Sequence, residues 1–167
     1  GQGCAVEARK LKGDDPLDNW SSATISLLAN DLKAQAVFPF GGPPHHPFIA
    51  WALRSGEVWT SPVGLLVHKD AGLLVSYRGA LIFDEVIEQP SAADSPCDSC
   101  VDKPCMSACP VSALTPDGYD VESCKDHMNV DAGCRAACRV RMSCPVSQSY
   151  GRNPVQTAFH MEAFHPS

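Results

Sequence analysis

Three things are scarce in this sequence, and each scarcity excludes a class of protein. Apolar runs are short, and the longest, such as residues 63–67, fall far below the length that crosses a bilayer. Basic residues are outnumbered: 13 Lys and Arg stand against 19 Asp and Glu, a formal net charge of −6. This balance argues against nucleic acids and anionic membrane surfaces as main partners. No apolar secretory core opens the sequence, so we expect a cytoplasmic protein.

Cysteine is scarce only in the first part of the chain. Of nine cysteines, Cys4 stands alone, and the other eight fall between Cys97 and Cys144. The length of 167 residues suits one domain or two small ones, and a hydrophobic content of 44% excludes a wholly disordered chain. The uneven distribution of cysteine therefore separates two parts with different chemistry.

Residues 1–92 predict a small α/β unit. Asp15 and Pro16 form a typical helix start. Apolar residues then recur at roughly helical spacing: Trp20, Ile25, Leu28 and Leu32. Residues 36–40 predict a short strand, and residues 47–55 predict a second short helix that ends at Gly56.

The pattern after residue 62 predicts a β-hairpin. Residues 63–68 and 73–77 are apolar runs joined by four turn residues, and residues 80–83 would extend the sheet. Residues 89–96 are rich in Pro, Ser and Ala, which is typical of a linker. We therefore expect an α+β protein with an N-terminal unit over 1–92, a cysteine-bearing module over 93–151, and a C-terminal tail over 152–167 that packs on the body.

The eight clustered cysteines form two runs, each ending in Cys-Pro. The first run is Cys97, Cys100, Cys105 and Cys109; a lone Cys124 follows, and then Cys134, Cys138 and Cys144. Disulfides require an oxidising compartment, which nothing in the sequence indicates, and the spacing specifies no pairing. Zinc sites commonly use two cysteine clips about 12–20 residues apart. Here only four residues separate Cys100 from Cys105.

Iron–sulfur ligation accounts for more of this pattern. A 4Fe–4S cluster needs four thiolates, and in two-cluster ferredoxins the cysteine before proline ligates the other cluster. Eight cysteines are the number that two such clusters require. Cys4 is left over, and we interpret it as a small buried apolar residue or a free thiol. Disulfides, zinc and iron–sulfur clusters all stay open on spacing alone, with iron–sulfur clusters favoured.

The segment from Cys97 to Pro145 resembles the bacterial two-cluster ferredoxin module. The resemblance is to the version found in epoxyqueuosine reductase and related corrinoid-dependent reductases, which also have a lone cysteine near a helix start, as Cys124 is here. Residues 59–68 and 73–82 are similar to the strands that precede the module in that reductase. The resemblance covers roughly residues 48–148. Shorter stretches, 109–114 and 137–147, resemble small bacterial ferredoxin-like proteins.

This resemblance implies two 4Fe–4S clusters and their ligands. Cys97, Cys100, Cys105 and Cys144 would hold one cluster, and Cys109, Cys124, Cys134 and Cys138 would hold the other. The chain departs from the module in its wider spacings, since four residues rather than two separate Cys100 from Cys105. It also has about ten residues, 41–51, where the reductase has much of its corrinoid-binding region. We therefore do not expect the reductase chemistry.

A few other residues are candidates for function. Three arginines lie among the later cysteines: Arg135, Arg139 and Arg141. Their guanidinium groups would either raise the potential of a negatively charged cluster or form an ordinary solvated helix face. Four histidines have no recognisable partner spacing or sit in a proline-rich loop typical of a surface: His45, His46, His160 and His165.

The sequence therefore favours an electron carrier with two 4Fe–4S clusters, which passes single electrons between redox partner proteins and has no catalytic residue of its own. An alternative is an iron–sulfur oxidoreductase, or a subunit of one, whose N-terminal unit holds a substrate or cofactor. A third interpretation is an interaction module in which the clusters are structural. We expect neither nucleic acid nor membrane as a partner.

Overall fold

The computed structural model describes residues 15–88 and 91–166, so Cys4 and its predicted role lie outside the described residues. The chain separates into two compact units. The first comprises the described residues of Gly1–Trp51 and Ser76–Ser91, and the second comprises Ala52–Val75 and the described residues of Ala92–Ser167. One division thus falls at the predicted boundary near residue 92, while residues 52–75 group with the cysteine-bearing part.

Helices and short antiparallel strand pairs make up the described residues, which confirms the α+β composition. In chain order the elements are α1 (Pro16–Leu32), β1 (Gln35–Val37), α2 (Phe48–Arg54), β2 (Val58–Thr60), β3 (Leu66–His68), β4 (Ala80–Ile82), a 3-10 turn (Pro104–Met106), β5 (Leu114–Thr115), β6 (Gly118–Tyr119), α3 (Val121–Val130), α4 (Ala132–Ala136), α5 (Arg139–Ser143), α6 (Pro145–Tyr150) and α7 (Pro154–Phe164). Helices α1 and α2 confirm the two helices predicted for the first part of the chain.

In the first unit, α1 packs against the antiparallel pair of β1 and β4. The apolar spacing that predicted this helix does not describe its buried face, since Leu28 and Leu32 are 48% and 53% exposed. Small Ser21 is fully buried instead, because its Oγ donates to the Leu17 carbonyl at 2.7 Å and accepts from Arg78 Nε at 3.2 Å. Arg78 also pairs with Asp18, which joins the helix to the segment before β4.

The predicted hairpin of residues 63–68 and 73–77 is wrong in its second strand. Strand β3 pairs instead with β2, with Trp59 opposite Val67, and β4 belongs to the other unit. The turn after β3 does close, because His68 and Gly72 exchange hydrogen bonds of 3.0 and 2.9 Å. The strand pairing ends there, since the Leu73 N–H donates to Ser147 Oγ at 2.9 Å rather than to a strand.

Two arginines, one on α5 and one between α6 and α7, also donate hydrogen bonds to the backbone carbonyls of residues 73 and 74. Arg141 donates to the Leu73 carbonyl, and Arg152 donates to the Leu74 carbonyl at 3.3 Å. Gly72 is required at this place, because its φ is +57° and an added Cβ would lie 2.5 Å from the Ser147 backbone nitrogen. The backbone of residues 73 and 74 is thus hydrogen-bonded to three side chains from the C-terminal part of the second unit.

Capping residues begin several of the short helices in the second unit. Asp120 accepts from the Ser123 N–H at 3.0 Å to begin α3, and Asn153 accepts from the Val155 N–H at 2.8 Å to begin α7. Asp131 accepts from the N–H groups of Gly133 and Cys134 to begin α4. Helix α7 packs on α4, which gives the C-terminal segment a place on this unit.

The core of the second unit combines side chains of residues 63–73, around strand β3, with side chains of the cysteine-bearing segment. Its buried members are Val63, Val67, Leu73, Cys105, Leu114 and Val140. Four further cysteines pack against this core: Cys97, Cys109, Cys138 and Cys144. None of the helices among the described residues combines the length and apolarity needed to span a bilayer.

Candidate metal centre

Four cysteines line one cavity of about 210 Å³ in the second unit: Cys97, Cys100, Cys105 and Cys144. We call them the first cysteine set. Cys97 lies in a turn, Cys100 in an irregular segment, Cys105 in the 3-10 turn, and Cys144 between α5 and α6. Val67 of β3 and Leu73, which follows the turn after β3, form part of the apolar wall. The cavity therefore presents four sulfur atoms against a mostly apolar lining.

The loop that carries the first set is shaped by local turns. Lys103 adopts a left-handed φ of +40° just before the 3-10 turn, and the Met106 N–H donates to its carbonyl at 3.0 Å. Ser95 caps the start of the loop, because the Cys97 N–H donates to its Oγ at 3.3 Å. Its hydroxyl also partly offsets the rise that burial causes in the pKa of Cys97. Among the residues that line this cavity, Lys103 is the charged one.

The remaining four cysteines of the pattern line a second, much smaller cavity of about 30 Å³: Cys109, Cys124, Cys134 and Cys138. We call them the second cysteine set. Cys124 lies in α3, Cys134 in α4, and Cys138 directly before α5. Cys109 lies in a turn, where its Sγ accepts from the Ala113 N–H at 3.2 Å. Three of these four sulfurs are thus carried at short helices rather than in loops.

Burial and neighbouring thiols raise the pKa values of cysteines in both sets. Burial raises the pKa of Cys97 and of Cys105, and the other members of the first set raise both pKa values further. Burial likewise raises the pKa of Cys124 and of Cys134, and Cys109 and Cys138 add to the effect. Each thiol therefore interacts with members of its own set, and deprotonation requires a compensating positive charge.

The donors fit a thiolate-ligated metal centre at both places. All eight cysteines of the described residues are free rather than disulfide-bonded. Soft thiolate ligands select iron–sulfur clusters, zinc or Cu(I), whereas hard cations such as Mg²⁺ prefer oxygen. Each cavity is lined by four cysteines, the number of thiolates that a 4Fe–4S cluster or a tetrahedral zinc ion requires. Within the described residues, no three cysteine sulfurs all lie within 4.8 Å of one another.

A group that sequence reasoning missed adjoins the second set. Ligand atoms of His127, Asp131 and Cys134 all lie within 4.8 Å of one another. The Asp131 carboxylate is already engaged, because Oδ1 accepts two N–H groups of α4, while Oδ2 lies 2.7 Å from Arg139 Nη2 and 3.2 Å from His127 Nε2. A hydrogen-bonded cap with an ion pair accounts for this group without a metal. The capping aspartate three residues before Cys134 was the available sequence signal.

The three predicted arginines have different surroundings. Arg135 Nε donates to the Met128 carbonyl at 3.2 Å, and Arg139 pairs with Asp131. Arg141 donates to the Leu73 carbonyl on the wall of the first cavity. Arg139 is 52% exposed and also lines the second cavity, so the two sequence interpretations, a solvated helix face and a charge beside a metal centre, both stay open for it.

None of the four predicted histidines lines either cavity. His46 packs its ring against Trp51, with centroids 5.5 Å apart, and His165 Nε2 lies 2.8 Å from Asn129 Oδ1. His160 packs against Phe159, with centroids 6.0 Å apart. His45 is exposed. None of these four belongs to a group with metal-binding geometry among the described residues.

Tyr119 is a second residue that sequence reasoning missed. Its hydroxyl interacts with the Cys124 thiol, and its ring stacks on Phe164 with centroids 6.1 Å apart. Burial and the Cys124 interaction raise the pKa of Tyr119, so the hydroxyl stays protonated and is available as a donor. The pairing of β5 with β6 holds this residue next to α3, which no local sequence signal indicates.

Comparison with known proteins gives no further assignment. No protein-family model, no curated protein and no solved structure matches this chain. The site must therefore be interpreted from its own residues.

Proposed function

We propose that this chain carries two 4Fe–4S clusters and passes single electrons between protein partners, as a bacterial-type ferredoxin-like protein. One observation carries the proposal: eight cysteines fall into two groups of four, each around its own cavity. The grouping does not follow sequence order. Cys144 leaves the second run to join the first set, and Cys109 leaves the first run to join the second set.

This exchange favours iron–sulfur clusters over two zinc sites. In two-cluster ferredoxins the cysteine before proline ligates the neighbouring cluster, and both exchanged residues here precede proline. A zinc site built from adjacent cysteine clips needs no such exchange. The resemblance of residues 97–145 to the two-cluster module supports the same assignment.

The residues of each set would hold one cluster through four thiolates, and a bound cluster would supply one-electron exchange. The chain itself provides the remaining requirements. Apolar residues such as Val67 and Leu73 at the first cavity, and Met128 and Val140 at the second, would keep water from the centres. Helix α5 joins the two sets, because Cys138 directly precedes it and Cys144 directly follows it. An α-helix of this length spans about 8 Å, so the two centres would be neighbours.

Iron and sulfide analysis of anaerobically purified or reconstituted protein tests the proposal. We expect about eight iron and eight sulfide ions per chain, with electron paramagnetic resonance signals that appear on reduction and vanish on reoxidation. Cys4→Ser is the matched control, since it removes a cysteine outside both sets and should keep the full iron content. Tightly bound zinc without iron, or clusters that do not cycle between redox states, would contradict the proposal.

A further inference from the structure

One buried hydroxyl of the second unit has no hydrogen-bond partner. Ser61 is 5% exposed, and among the described residues its Oγ is the one buried side-chain nitrogen or oxygen atom without a partner. Burial of a hydroxyl removes its hydrogen bonds to water, and here no bond within the protein replaces them. Native proteins keep few such groups, so each of them requires an explanation. The Ser61 hydroxyl is therefore available to a group that the protein binds.

The backbone of Ser61 is fully engaged, which fixes the place of this hydroxyl. The Ser61 N–H donates to the Leu65 carbonyl at 2.8 Å, and the Ser61 carbonyl accepts from the Gly64 N–H at 3.0 Å. These two bonds close the turn between β2 and β3, and Gly64 adopts the left-handed φ of +74° that glycine tolerates. Ser61 is thus held in a closed turn, and its hydroxyl is the part of the residue that stays unpaired.

Ser61 lines the first cavity, together with the four cysteines of the first set. Two other polar residues line this cavity, Ser99 and Lys103, and both are exposed. The Ser99 hydroxyl also has a partner already, because it donates to the Pro96 carbonyl at 3.4 Å. Among the described residues that line the second cavity there is no serine or threonine. A buried, unpaired hydroxyl is therefore a property of the first site alone.

We propose that the Ser61 hydroxyl donates a hydrogen bond to a sulfur atom of the cluster held by the first cysteine set, and that this bond raises the reduction potential of that cluster. This inference rests on the proposed function. Hydrogen bonds to the sulfurs of an iron–sulfur cluster are one of the factors that set its potential. Reduction makes the sulfurs more negative, so a donated hydrogen bond stabilises the reduced form more than the oxidised form. Ser61 acts on the potential and does not ligate iron.

Reduction potentials of the two centres, measured by redox titration with electron paramagnetic resonance on anaerobically loaded protein, test this inference. Ser61→Ala should lower the potential of the first centre, leave that of the second unchanged and retain the wild-type iron content. Ser61→Thr keeps a hydroxyl and should retain most of the wild-type potential. Ser99→Ala is the matched control at the same cavity. Its hydroxyl is exposed and bonded to Pro96, so we expect a clearly smaller shift.

The stability of the iron-free protein gives a readout that does not depend on the potential. Without a cluster the Ser61 hydroxyl has no partner to lose, so Ser61→Ala should leave the urea midpoint of the iron-free form unchanged or raise it. In the loaded form the same change removes a hydrogen bond and should lower the midpoint. An equal fall in both forms would mean that Ser61 is merely structural and would overturn the inference.

Three other results would also overturn the inference while leaving the proposed clusters intact. They are an unchanged first potential in Ser61→Ala, a Ser99→Ala shift as large as that of Ser61→Ala, and a loss of iron from the first centre in Ser61→Ala, which would make Ser61 a ligand or a folding requirement. Wild-type protein that binds no iron would instead overturn the proposed function, and this inference with it.

Discussion

The two cysteine sets differ in what holds them. The first set surrounds a cavity of about 210 Å³, and its cysteines lie in a turn, an irregular segment, a 3-10 turn and the junction of α5 and α6. The second set surrounds a cavity of about 30 Å³ and is carried at short helices with their own caps. Capped helices carry Cys124 and Cys134 of the second site, whereas the wall of the first site includes Val67 and Leu73 from an earlier part of the chain. The difference indicates that the two sites respond differently to the same perturbation.

Removal of one exchanged cysteine is the most severe test of this comparison. Cys144→Ser should abolish the centre held by Cys97, Cys100 and Cys105, although Cys144 follows the second run in sequence. Cys109→Ser should abolish the other centre and spare the first. Each variant loses one of four thiolates, so about half of the iron should be lost. Iron analysis and the spectra of the remaining centre measure the effect.

The two variants control each other, because each removes one cysteine that precedes a proline. Loss of the sequence-adjacent centre in both variants would show that ligation follows the two runs rather than the two cavities. Loss of all iron from both variants would show that the two sets form one interdependent site.

Removal of iron should destabilise the segments that carry the two cysteine sets to different extents. The loop from residue 95 to 107 has few large buried side chains, and its Val101 and Met106 are 92% and 54% exposed. Metal–thiolate bonds would therefore contribute much of its folding energy. In the iron-free protein we expect loss of amide protection in this loop first, less loss in α3 and α4, and no change in α1. Hydrogen exchange of the loaded and iron-free forms measures the order.

Uniform protection across the iron-free protein would contradict this expectation. An equal loss in the loop and in α3 would contradict the contrast between the two sites, even if iron removal does destabilise the unit.

A substitution at Gly72 tests the dependence of the first site on distant walls. An added Cβ would lie 2.5 Å from the Ser147 nitrogen and 2.6 Å from its Oγ, at a residue with φ of +57°. Gly72→Ala should therefore lower the free energy of unfolding by roughly 2–4 kcal/mol, from backbone strain and overpacking together. Because Leu73 lines the first cavity, that centre should also load less iron. Urea denaturation and iron analysis measure both effects.

Gly42→Ala is the matched control, because an added Cβ at Gly42 meets nothing within 4 Å. We expect a change within about 0.5 kcal/mol for this variant. A Gly72→Ala protein as stable as Gly42→Ala would refute the close approach of residue 72 to α6.

Sequence reasoning anticipated the helices of the first part of the chain better than the strands. Pro16 at the start of α1 is a local signal, and local signals suffice for a helix. The pairing of β2 with β3 was missed because the strand that we predicted in its place begins at Leu73, whose backbone is hydrogen-bonded to residues far along the chain. The Leu73 N–H donates to Ser147 and its carbonyl accepts from Arg141, so the backbone groups that would begin the predicted second strand are not free to pair with a strand.

The grouping of Cys109 and Cys144 came from a resemblance in their Cys-Pro contexts, not from spacing, and the same grouping around two cavities now supports it. The charged and polar neighbours of particular side chains could not be predicted from the sequence. Nothing near Arg152 in sequence indicates that it lies beside Arg141, and nothing near Tyr119 indicates its interaction with Cys124. Such contacts depend on packing between helices, which one sequence does not encode locally.

The finest test of the comparison concerns single hydroxyl groups. The Tyr119 hydroxyl interacts with Cys124 of the second set, and the Ser95 hydroxyl interacts with Cys97 of the first set; each interaction contributes to the pKa of its cysteine. A hydrogen bond donated to a ligating sulfur stabilises the more negative, reduced state. Tyr119→Phe should therefore lower the reduction potential of the second centre alone, and Ser95→Ala that of the first alone. Redox titration of each variant, with the two centres resolved spectroscopically, measures the shifts.

Phe164→Leu separates the hydroxyl of Tyr119 from its ring. Phe164 stacks on the Tyr119 ring at a centroid distance of 6.1 Å, so this variant disturbs the packing but leaves the hydroxyl in place. If the donated hydrogen bond is responsible, Phe164→Leu should shift the second potential less than Tyr119→Phe does. A shift as large as that of Tyr119→Phe would mean that ring packing and solvent access set the potential. Equal shifts of both centres in Tyr119→Phe would mean that the two sites are not electrostatically separate.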